Sequence, residues 1–385
     1  MILEELAGSE RTAGDIANMW LNHLTTFRIR DIQILRKLYG DEVEIVRNLK
    51  DDSELDMLVS KGVLKQSTGA EIRESDIAGW YDNLTKLMNS NKIKCITPAN
   101  EMYPDKLRCI DHSPLALYFR GKQDLFYSEH SIAIIGSRRP THYGVTQAEH
   151  FSAELAIKGI TIISGMAYGI DSKAHDTAIK NGGGTIAVLG GGVDICYPRT
   201  NMSIYQEMCN TQLVISEYEP GTAHISQHFP LRNRIISGLS DGVLLVEAAL
   251  RSGTLITADY ALEQGKSIYG IPGRPTDVMS RGVNSIIKQG AMLVDSPTDV
   301  ILDMFKSELE VERPRRKSRK KAVEEDTKMT ATEKKIIGIL GYDPLFIDDI
   351  IRHNEMHVAE TIQTLNQLVS KDKIKCVEKG YYILS

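Results

Sequence analysis

Seven short, continuously apolar runs in the middle of the chain constrain its fold most strongly. A strand with one face in water alternates apolar and polar residues, whereas a strand covered on both faces is apolar throughout. Each run is followed by a Gly- or Ser-rich corner and usually by a helix-patterned stretch, which is the βαβ order. The sequence therefore predicts an α/β fold with an extended Rossmann-like, mostly parallel, doubly wound sheet. The runs are residues 132–135, 160–163, 186–189, 213–215, 243–246, 268–271 and 292–294.

The rest of the 385 residues predicts further domains around this sheet. Residues 1–92 show helical spacing of apolar side chains and predict a small helical domain similar to a helix-hairpin-helix or SAM module. Residues 93–310 form the Rossmann-like domain. Residues 311–328 are a block of basic and then acidic residues, which is typical of a solvated linker. Residues 329–385 pattern as three amphipathic helices and a terminal hairpin, which predicts a winged helix.

Composition indicates an ordinary cytoplasmic protein. The net charge of -5 argues against a uniformly basic nucleic-acid binder, although a local basic patch is compatible with it. The five cysteines form no CxxC pair, which favours reduced thiols in the cytosol. The N-terminus lacks the pattern of a secretory signal, and no apolar run approaches the roughly 18 residues of a membrane span.

Four glycine-bearing corners follow strands of the predicted sheet. Ligands of such sheets bind at the carboxyl ends of the strands, so these corners are expected to share one edge. Backbone N–H groups and helix N-termini at that edge would attract phosphate groups. The sequence therefore predicts a shelf that binds anions, built from residues 136–140, 164–171, 189–194 and 247–254.

Two arginines strengthen this prediction. A helix is expected to begin at Pro230, because proline favours the first helical position. Arg232 and Arg234 would then lie in the first turn, where a cation opposes the helix dipole at a cost of about 0.3–1 kcal/mol each. Such cations favour an anionic ligand. The alternative is that both arginines pair with nearby acids such as Glu217 or Glu219.

The sequence carries no recognisable bond-breaking machinery. The corner after the first run is GSRRP rather than GxGxxG, and no GxxxxGK[ST], HExxH or GxSxG motif is present. Asp171 is predicted to cap the helix that contains His175. A single histidine on a helix is more often a packing residue than an acid–base catalyst. We therefore expect no enzymatic activity, no cofactor and no metal.

Taken together, the ordered motifs resemble the DNA processing protein A family (DprA, also called Smf). Any one of these motifs is weak, but six in order are specific. The resemblance covers about residues 93–299 and rests on IIGSRRPT, SGMAYGIDSKAH, AVLGGGVD, SEYEPG, FPLRNRIISGLS and EAALRSGTLITA.

This resemblance implies a protein that binds single-stranded DNA, protects DNA entering during natural transformation and loads a RecA-type recombinase onto it. It also implies a homodimer formed through the Rossmann-like domain. The residues expected at the DNA are Gly136, Ser137, Arg138, Arg139, Gly165, Arg232, Asn233, Arg234, Ser252 and Gly253. An aromatic side chain that stacks on bases is expected among Tyr143, Tyr168 and Phe229, with no preference between them.

Two alternatives remain open from the sequence. The first is a nucleotide phosphoribohydrolase of the LOG group, which has a similar sheet and a PGGxGTxxE corner. This chain reads LRSGTLIT there, without the double glycine or the following glutamate. The second is a regulator whose winged helix binds a protein or duplex DNA while the α/β domain holds a small nucleotide.

Overall fold

The structure, a computed structural model, describes residues 2–8, 10–27, 29–305, 329–341, 344–354, 358–371, 373–378 and 380–384. The chain divides into two compact units. The first contains Met1–Arg139 and Ala148–Val300, and the second contains Pro140–Gln147 and Ile301–Ser385. The linker predicted at residues 311–328 lies outside the described residues, and the predicted domain boundaries stay predictions.

Seven helices precede the sheet in the first unit, as the helical spacing predicts. Side chains cap the N-termini of α2, α4, α5 and α7: for example, Thr12 and Asp15 form a capping box, and Asp76 accepts a hydrogen bond from the backbone of Gly79. Their apolar faces enclose the fully buried indole of Trp20. The helices are α1 (Ile2–Leu6), α2 (Ala13–His23), α3 (Ile29–Tyr39), α4 (Glu42–Leu49), α5 (Asp52–Ser60), α6 (Gln66–Glu74) and α7 (Ile77–Ser90).

A nine-stranded sheet forms the core of this unit, in the order β1-β2-β6-β5-β4-β3-β7-β8-β9. Strands β3 to β9 are parallel, and β1 and β2 add an antiparallel edge beside β6. All seven predicted strands are present, and the prediction of a mostly parallel α/β sheet is confirmed. The strands are β1 (Lys94–Ile96), β2 (Leu117–Gly121), β3 (Ser131–Ile135), β4 (Thr161–Ser164), β5 (Thr185–Val188), β6 (Leu213–Ser216), β7 (Gly242–Leu245), β8 (Ser267–Gly270) and β9 (Met292–Leu293).

The chain reverses its direction of winding between β3 and β7. It moves outward from β3 through β4 and β5 to β6, then returns to pair β7 with the other side of β3. The loops after β3 and β7 therefore diverge and leave a crevice, which is where ligands bind in this architecture. The helices that connect or follow the strands are α8 (Asp105–Arg108), α9 (His142–Ile157), α10 (Ile170–Lys180), α11 (Met202–Thr211), α12 (His228–Leu239), α13 (Thr254–Glu263), α14 (Val278–Lys288) and α15 (Pro297–Met304).

The second unit includes a small C-terminal domain with its own core. Its elements are α16 (Ala331–Ile339), β10 (Leu345–Phe346), α17 (Ile347–Asn354), α18 (Val358–Ser370), β11 (Ile374–Glu378) and β12 (Tyr381–Leu384). The three strands form an antiparallel sheet in the order β10-β12-β11. Three helices and a hairpin are the elements expected for a winged helix, and β10 is an addition that the sequence pattern did not predict. In neither unit does a described helix have the length and apolar character to cross a bilayer.

Candidate nucleic-acid interface

A cavity of about 660 Å³ opens at the carboxyl ends of β3 and β7. It occupies the crevice where the winding reverses. Residues 135–139 after β3 and residues 249–257 around the start of α13 line two of its walls, and the first half of α12 lines another. The structure therefore brings the loop after β3 together with two segments that lie about 90 or more residues later in the sequence.

The cavity is strongly cationic. Arg138, Arg139 and Arg251 are exposed and line it, and Arg232 lines it from a buried position with 4% of its surface exposed. Among the described lining residues, Asp171 is the one acid. Four guanidinium groups opposite one carboxylate leave an excess of positive charge that favours an anion.

Backbone oxygens fix the position of Arg232. Its Nη1 donates to the carbonyl of Gly165 at 2.8 Å and also to that of Val188. Burial lowers the pKa of Arg232 to about 10, an effect that Asp171 opposes, so the guanidinium stays charged at neutral pH. A Cβ on Gly165 would lie 2.5 Å from the guanidinium nitrogens. Gly165 itself does not line the cavity. A glycine is needed at position 165 because Arg232 packs directly on the backbone there.

Asp171 has a different role from the one predicted. The N-cap of α10 is Gly169, with φ of 77°, and no side chain caps this helix, so the capping prediction is wrong. Asp171 instead accepts hydrogen bonds from the backbone N–H of Gly165 at 3.1 Å and of Ala167 at 3.4 Å. Burial raises its pKa, and Arg232 opposes that rise. The carboxylate thus holds the β4–α10 loop in place.

Hydroxyl groups hold the two main loops together. Ser137 Oγ accepts a hydrogen bond from the backbone N–H of Arg139 at 3.0 Å. Thr254 Oγ1 donates to the carbonyl of Gly136 at 3.1 Å, which joins the start of α13 to the loop after β3. Gly253 precedes α13, and a Cβ built on it meets no atom within 4 Å. A ligand therefore has room to approach the backbone at Gly253.

An aromatic wall stands beside the arginines. Phe229, Tyr197 and His224 all line the cavity, and the Tyr197 and His224 rings stack with centroids 5.2 Å apart. Arg138 Cζ lies 5.4 Å from the centroid of the Phe229 ring, a cation–π contact. Of the three aromatic candidates from the sequence, Phe229 lines the cavity. Tyr168 is 45% exposed but is not part of the lining, and Tyr143 belongs to the second unit.

Arg234 is not at the cavity, contrary to expectation. It is 3% exposed, and its guanidinium donates to both carboxylate oxygens of Glu217 at 2.5 and 2.9 Å and to the carbonyl of His112 at 2.9 Å. Burial alone would lower the pKa of Arg234, but Glu217 raises it above the ordinary value. The pairing with Glu217 that the sequence left open is therefore the one found.

Helix α12 also begins two residues before the predicted start, at His228 instead of Pro230. Arg232 and Arg234 therefore lie in its second turn, so the argument from the helix dipole does not apply to them.

His175 is a packing residue. It is fully buried, and its Nδ1 lies 2.7 Å from Thr185 Oγ1. Burial and the nearby Arg232 lower the pKa of His175 to about 3, so the ring is neutral. It does not line the cavity. Across the described part of the chain, no cluster of three or more His, Cys, Asp or Glu side chains has a geometry that would hold a metal ion.

Sequence reasoning missed three residues of the site: Arg251, Tyr197 and His224. Arg251 lies in the ALRSG corner that the sequence analysis singled out, so its charge next to a glycine could have identified it. Tyr197 and His224 come from irregular segments. No periodic pattern marks such positions.

Comparison with known proteins identifies the family of this chain. The family model described as DNA recombination-mediator protein A matches residues 94–305, which is more than half of the chain. The chain belongs to this family. The DNA processing protein DprA of Bacillus subtilis is 36% identical over 255 residues, which cover 64% of this chain and 86% of that protein.

Two solved structures of the family are similar to this chain. DNA processing protein A from Streptococcus pneumoniae superposes with a TM-score of 0.65 at 32% identity, covering 75% of this chain and 97% of that one. DNA processing protein A from Helicobacter pylori superposes with a TM-score of 0.52 at 29% identity, covering 56% and 97%. The latter structure was described for its single-stranded DNA binding mode.

Proposed function

We propose that this chain is a recombination mediator that binds single-stranded DNA in the cavity at the carboxyl ends of β3 and β7 and does not cleave it. In this role it protects DNA entering during natural transformation and delivers it to a RecA-type recombinase. It acts in the cytoplasm as a homodimer formed through the Rossmann-like domain. The observation that carries the proposal is the convergence of four arginines on one cavity, with a single acid among the lining residues that the structure describes.

The sugar-phosphate backbone is the part of the ligand that these residues recognise. Arg138, Arg139 and Arg251 are exposed and free to follow successive phosphates, whereas Arg232 offers a fixed charge at the base of the cavity. Hydrogen bonds to charged groups contribute about 1.5–3 kcal/mol each. The proposed contacts are Gly136, Ser137, Arg138, Arg139, Arg232, Asn233, Arg251, Ser252 and Gly253, with Gly165 supporting Arg232 from behind.

The aromatic wall favours a single strand over a duplex. A base stacked on an aromatic side chain contributes about 1–3 kcal/mol, and only an unpaired strand exposes the faces of its bases. Phe229 lies beside Arg138. A phosphate on Arg138 would therefore place its nucleotide next to the Phe229 ring.

A binding role without catalysis fits the groups at the cavity. General acid–base catalysis needs a titratable group within hydrogen-bond reach of the ligand. Asp171 is occupied by two backbone N–H groups, and His175 is buried elsewhere. His224 lines the cavity, but its Nε2 lies 3.0 Å from the carbonyl oxygen of Ile195 and its ring stacks on Tyr197. The LOG-type alternative would require a glutamate three residues after Thr254 at the α13 corner, where this chain has Thr257 instead.

The proposal is tested by fluorescence anisotropy with a labelled oligothymidine. We expect Arg138→Gln and Arg251→Gln each to weaken binding about tenfold or more, as the loss of a charge-assisted hydrogen bond predicts. Lys158→Gln is the matched control, because Lys158 is exposed and lies before β4, at the opposite edge of the sheet. Equal weakening by all three variants, or release of free base from AMP, would contradict the proposal.

The mediator role needs a separate assay. RecA-type filament formation on single-stranded DNA coated with its binding protein should be accelerated by the wild-type chain and not by Arg138→Gln. Analytical ultracentrifugation of the wild-type chain and of the Arg138→Gln variant measures whether each forms the homodimer. If Arg138→Gln accelerates filament formation as well as the wild type does, DNA binding in this cavity is not the step that delivers the strand.

A further inference from the structure

A second cavity, of about 480 Å³, lies between the N-terminal helices and the β1 edge of the sheet. Its walls come from the segment before α2, the end of α7, and strands β1 and β2. Lys94 pairs with Phe119 of β2, and Phe119 pairs with Ile215 of β6. Strands β6, β5 and β4 separate β2 from β3 in the sheet, so this cavity is distinct from the one at β3 and β7.

Arg11 is the unusual residue of this second cavity. Its guanidinium is half-buried and lines the cavity, but its hydrogen bonds are poor: Nη1 lies 3.5 Å from Tyr81 Oη, and Nη2 lies 4.0 Å from Met88 Sδ. No carboxylate of the described residues forms an ion pair with it. A guanidinium has five N–H donors, and these two long contacts satisfy little of that capacity. The group is therefore placed as if to receive an anion.

Two lysines extend the positive charge. Lys92 and Lys94 are exposed and line the same cavity, and Glu10 is the one acid among the described lining residues. Lys92 has φ of 54°, a conformation that side chains other than Asn or Asp rarely adopt. That backbone turns the chain from α7 into β1 and brings two lysines to the cavity within three residues. Asn89 and Gln123 add neutral hydrogen-bonding groups to the lining.

Apart from Asn100, the remaining lining is apolar. Ile96 and Phe119 contribute from the sheet, and Met88 and Met102 contribute flexible side chains. Sites for small organic ligands measure about 300–1,000 Å³ and combine apolar walls with a few polar groups that fix orientation. An inorganic ion would leave most of this volume and the apolar surface unused.

We infer that this second cavity binds a phosphorylated small molecule of mononucleotide size, with Arg11, Lys92 and Lys94 on the phosphate and the apolar walls on the remainder. The cations are those that phosphate esters need, and the volume suits one nucleotide rather than a strand. The inference does not rest on the proposed DNA function, because the two cavities share no lining residue.

The test is isothermal titration of the full chain with AMP and with inorganic phosphate. We expect AMP to bind more tightly than phosphate, and Arg11→Gln to weaken AMP at least tenfold. The double variant Lys92→Asn/Lys94→Gln should do the same. This double variant changes only exposed side chains, and asparagine suits the positive φ of residue 92. It can therefore test the inference even if Arg11→Gln does not fold. Lys37→Gln, an exposed lysine on α3, is the control.

Further arms separate the outcomes. Arg138→Gln should leave AMP affinity unchanged, and the double lysine variant should leave oligothymidine affinity unchanged. A 5′-phosphorylated oligothymidine could bind more tightly than the unphosphorylated one, and the double lysine variant could remove that difference. The inference would then hold, with the end of a nucleic acid as the source of the phosphate. If neither AMP, phosphate nor that end binds, or if Arg138→Gln abolishes AMP binding, the inference is wrong.

Discussion

The ion pair between Arg234 and Glu217 distinguishes a structural arginine from those proposed to bind DNA. The Arg234 side chain is 4% exposed and that of Glu217 is 17% exposed, and two hydrogen bonds join them. We predict that removing either charge destabilises the first unit without touching the DNA-binding cavity. The informative variants are Glu217→Leu, Arg234→Met and the two combined.

The expected magnitude follows from burial. Breaking a buried ion pair by removing one partner costs about 3–5 kcal/mol, because the remaining charge is left uncompensated. Since Glu217 keeps some exposure to water, the lower end applies, about 3 kcal/mol for each single variant. Replacing both partners by apolar residues of similar volume is often neutral. The double variant should therefore cost no more than either single one, which corresponds to a coupling energy of at least about 3 kcal/mol in magnitude.

Urea unfolding followed by tryptophan fluorescence measures this directly, because both tryptophans, Trp20 and Trp80, lie in the first unit. The same proteins are then titrated with oligothymidine. The double variant should bind within about twofold of the wild type, while Arg138→Gln loses affinity about tenfold. If the double variant is as stable as the wild type yet binds as weakly as Arg138→Gln, then Arg234 contacts DNA and its structural role is wrong.

Two further predictions concern glycines of the site and acid stability. Gly253→Ala should leave the urea midpoint unchanged, since its Cβ meets open space, but should weaken oligothymidine binding. Gly165→Ala should weaken oligothymidine binding and also lower the free energy of unfolding by about 1–3 kcal/mol, because Arg232 must move; equal behaviour of the two variants would refute this distinction. The pKa of His175 is lowered from 6.5 to about 3 in the folded chain, so the unfolded chain binds the proton first and acid favours unfolding. The free energy of unfolding should therefore fall by about 2 kcal/mol between pH 6.5 and pH 5, and His175→Gln should remove that part of the slope; an unchanged slope in urea midpoints measured against pH would contradict it.

The sheet was predictable because its strands are covered on both faces. Such strands leave continuous apolar runs, and all seven runs are strands in the structure. The edge at which the cavity lies followed from the polarity of parallel strands. Of the four predicted corners, residues 189–194 do not line the cavity. The residues of the cavity that come from irregular segments, Tyr197 and His224, had no comparable signal, since nothing local fixes where such segments lie.

The error at Arg234 has a geometric reason. Residues of an α-helix are about 100° apart around its axis, so residues two apart point in directions about 200° apart. Arg232 and Arg234 therefore cannot both face one cavity. Helical geometry alone could have excluded one of them, but choosing which one required the positions of Gly165 and Glu217, and these come from other parts of the chain.

The salt dependence of oligothymidine binding tests the central claim most directly. Arg138, Arg139, Arg232 and Arg251 offer four charges, so log Kobs should fall against log salt with a slope of about -3, at about -0.7 for each neutralised phosphate. Arg138→Gln combined with Arg251→Gln should flatten that slope by about 1.4, and Lys158→Gln should leave it unchanged. A slope near zero, or one that the arginine substitutions do not alter, would show that the strand is held elsewhere.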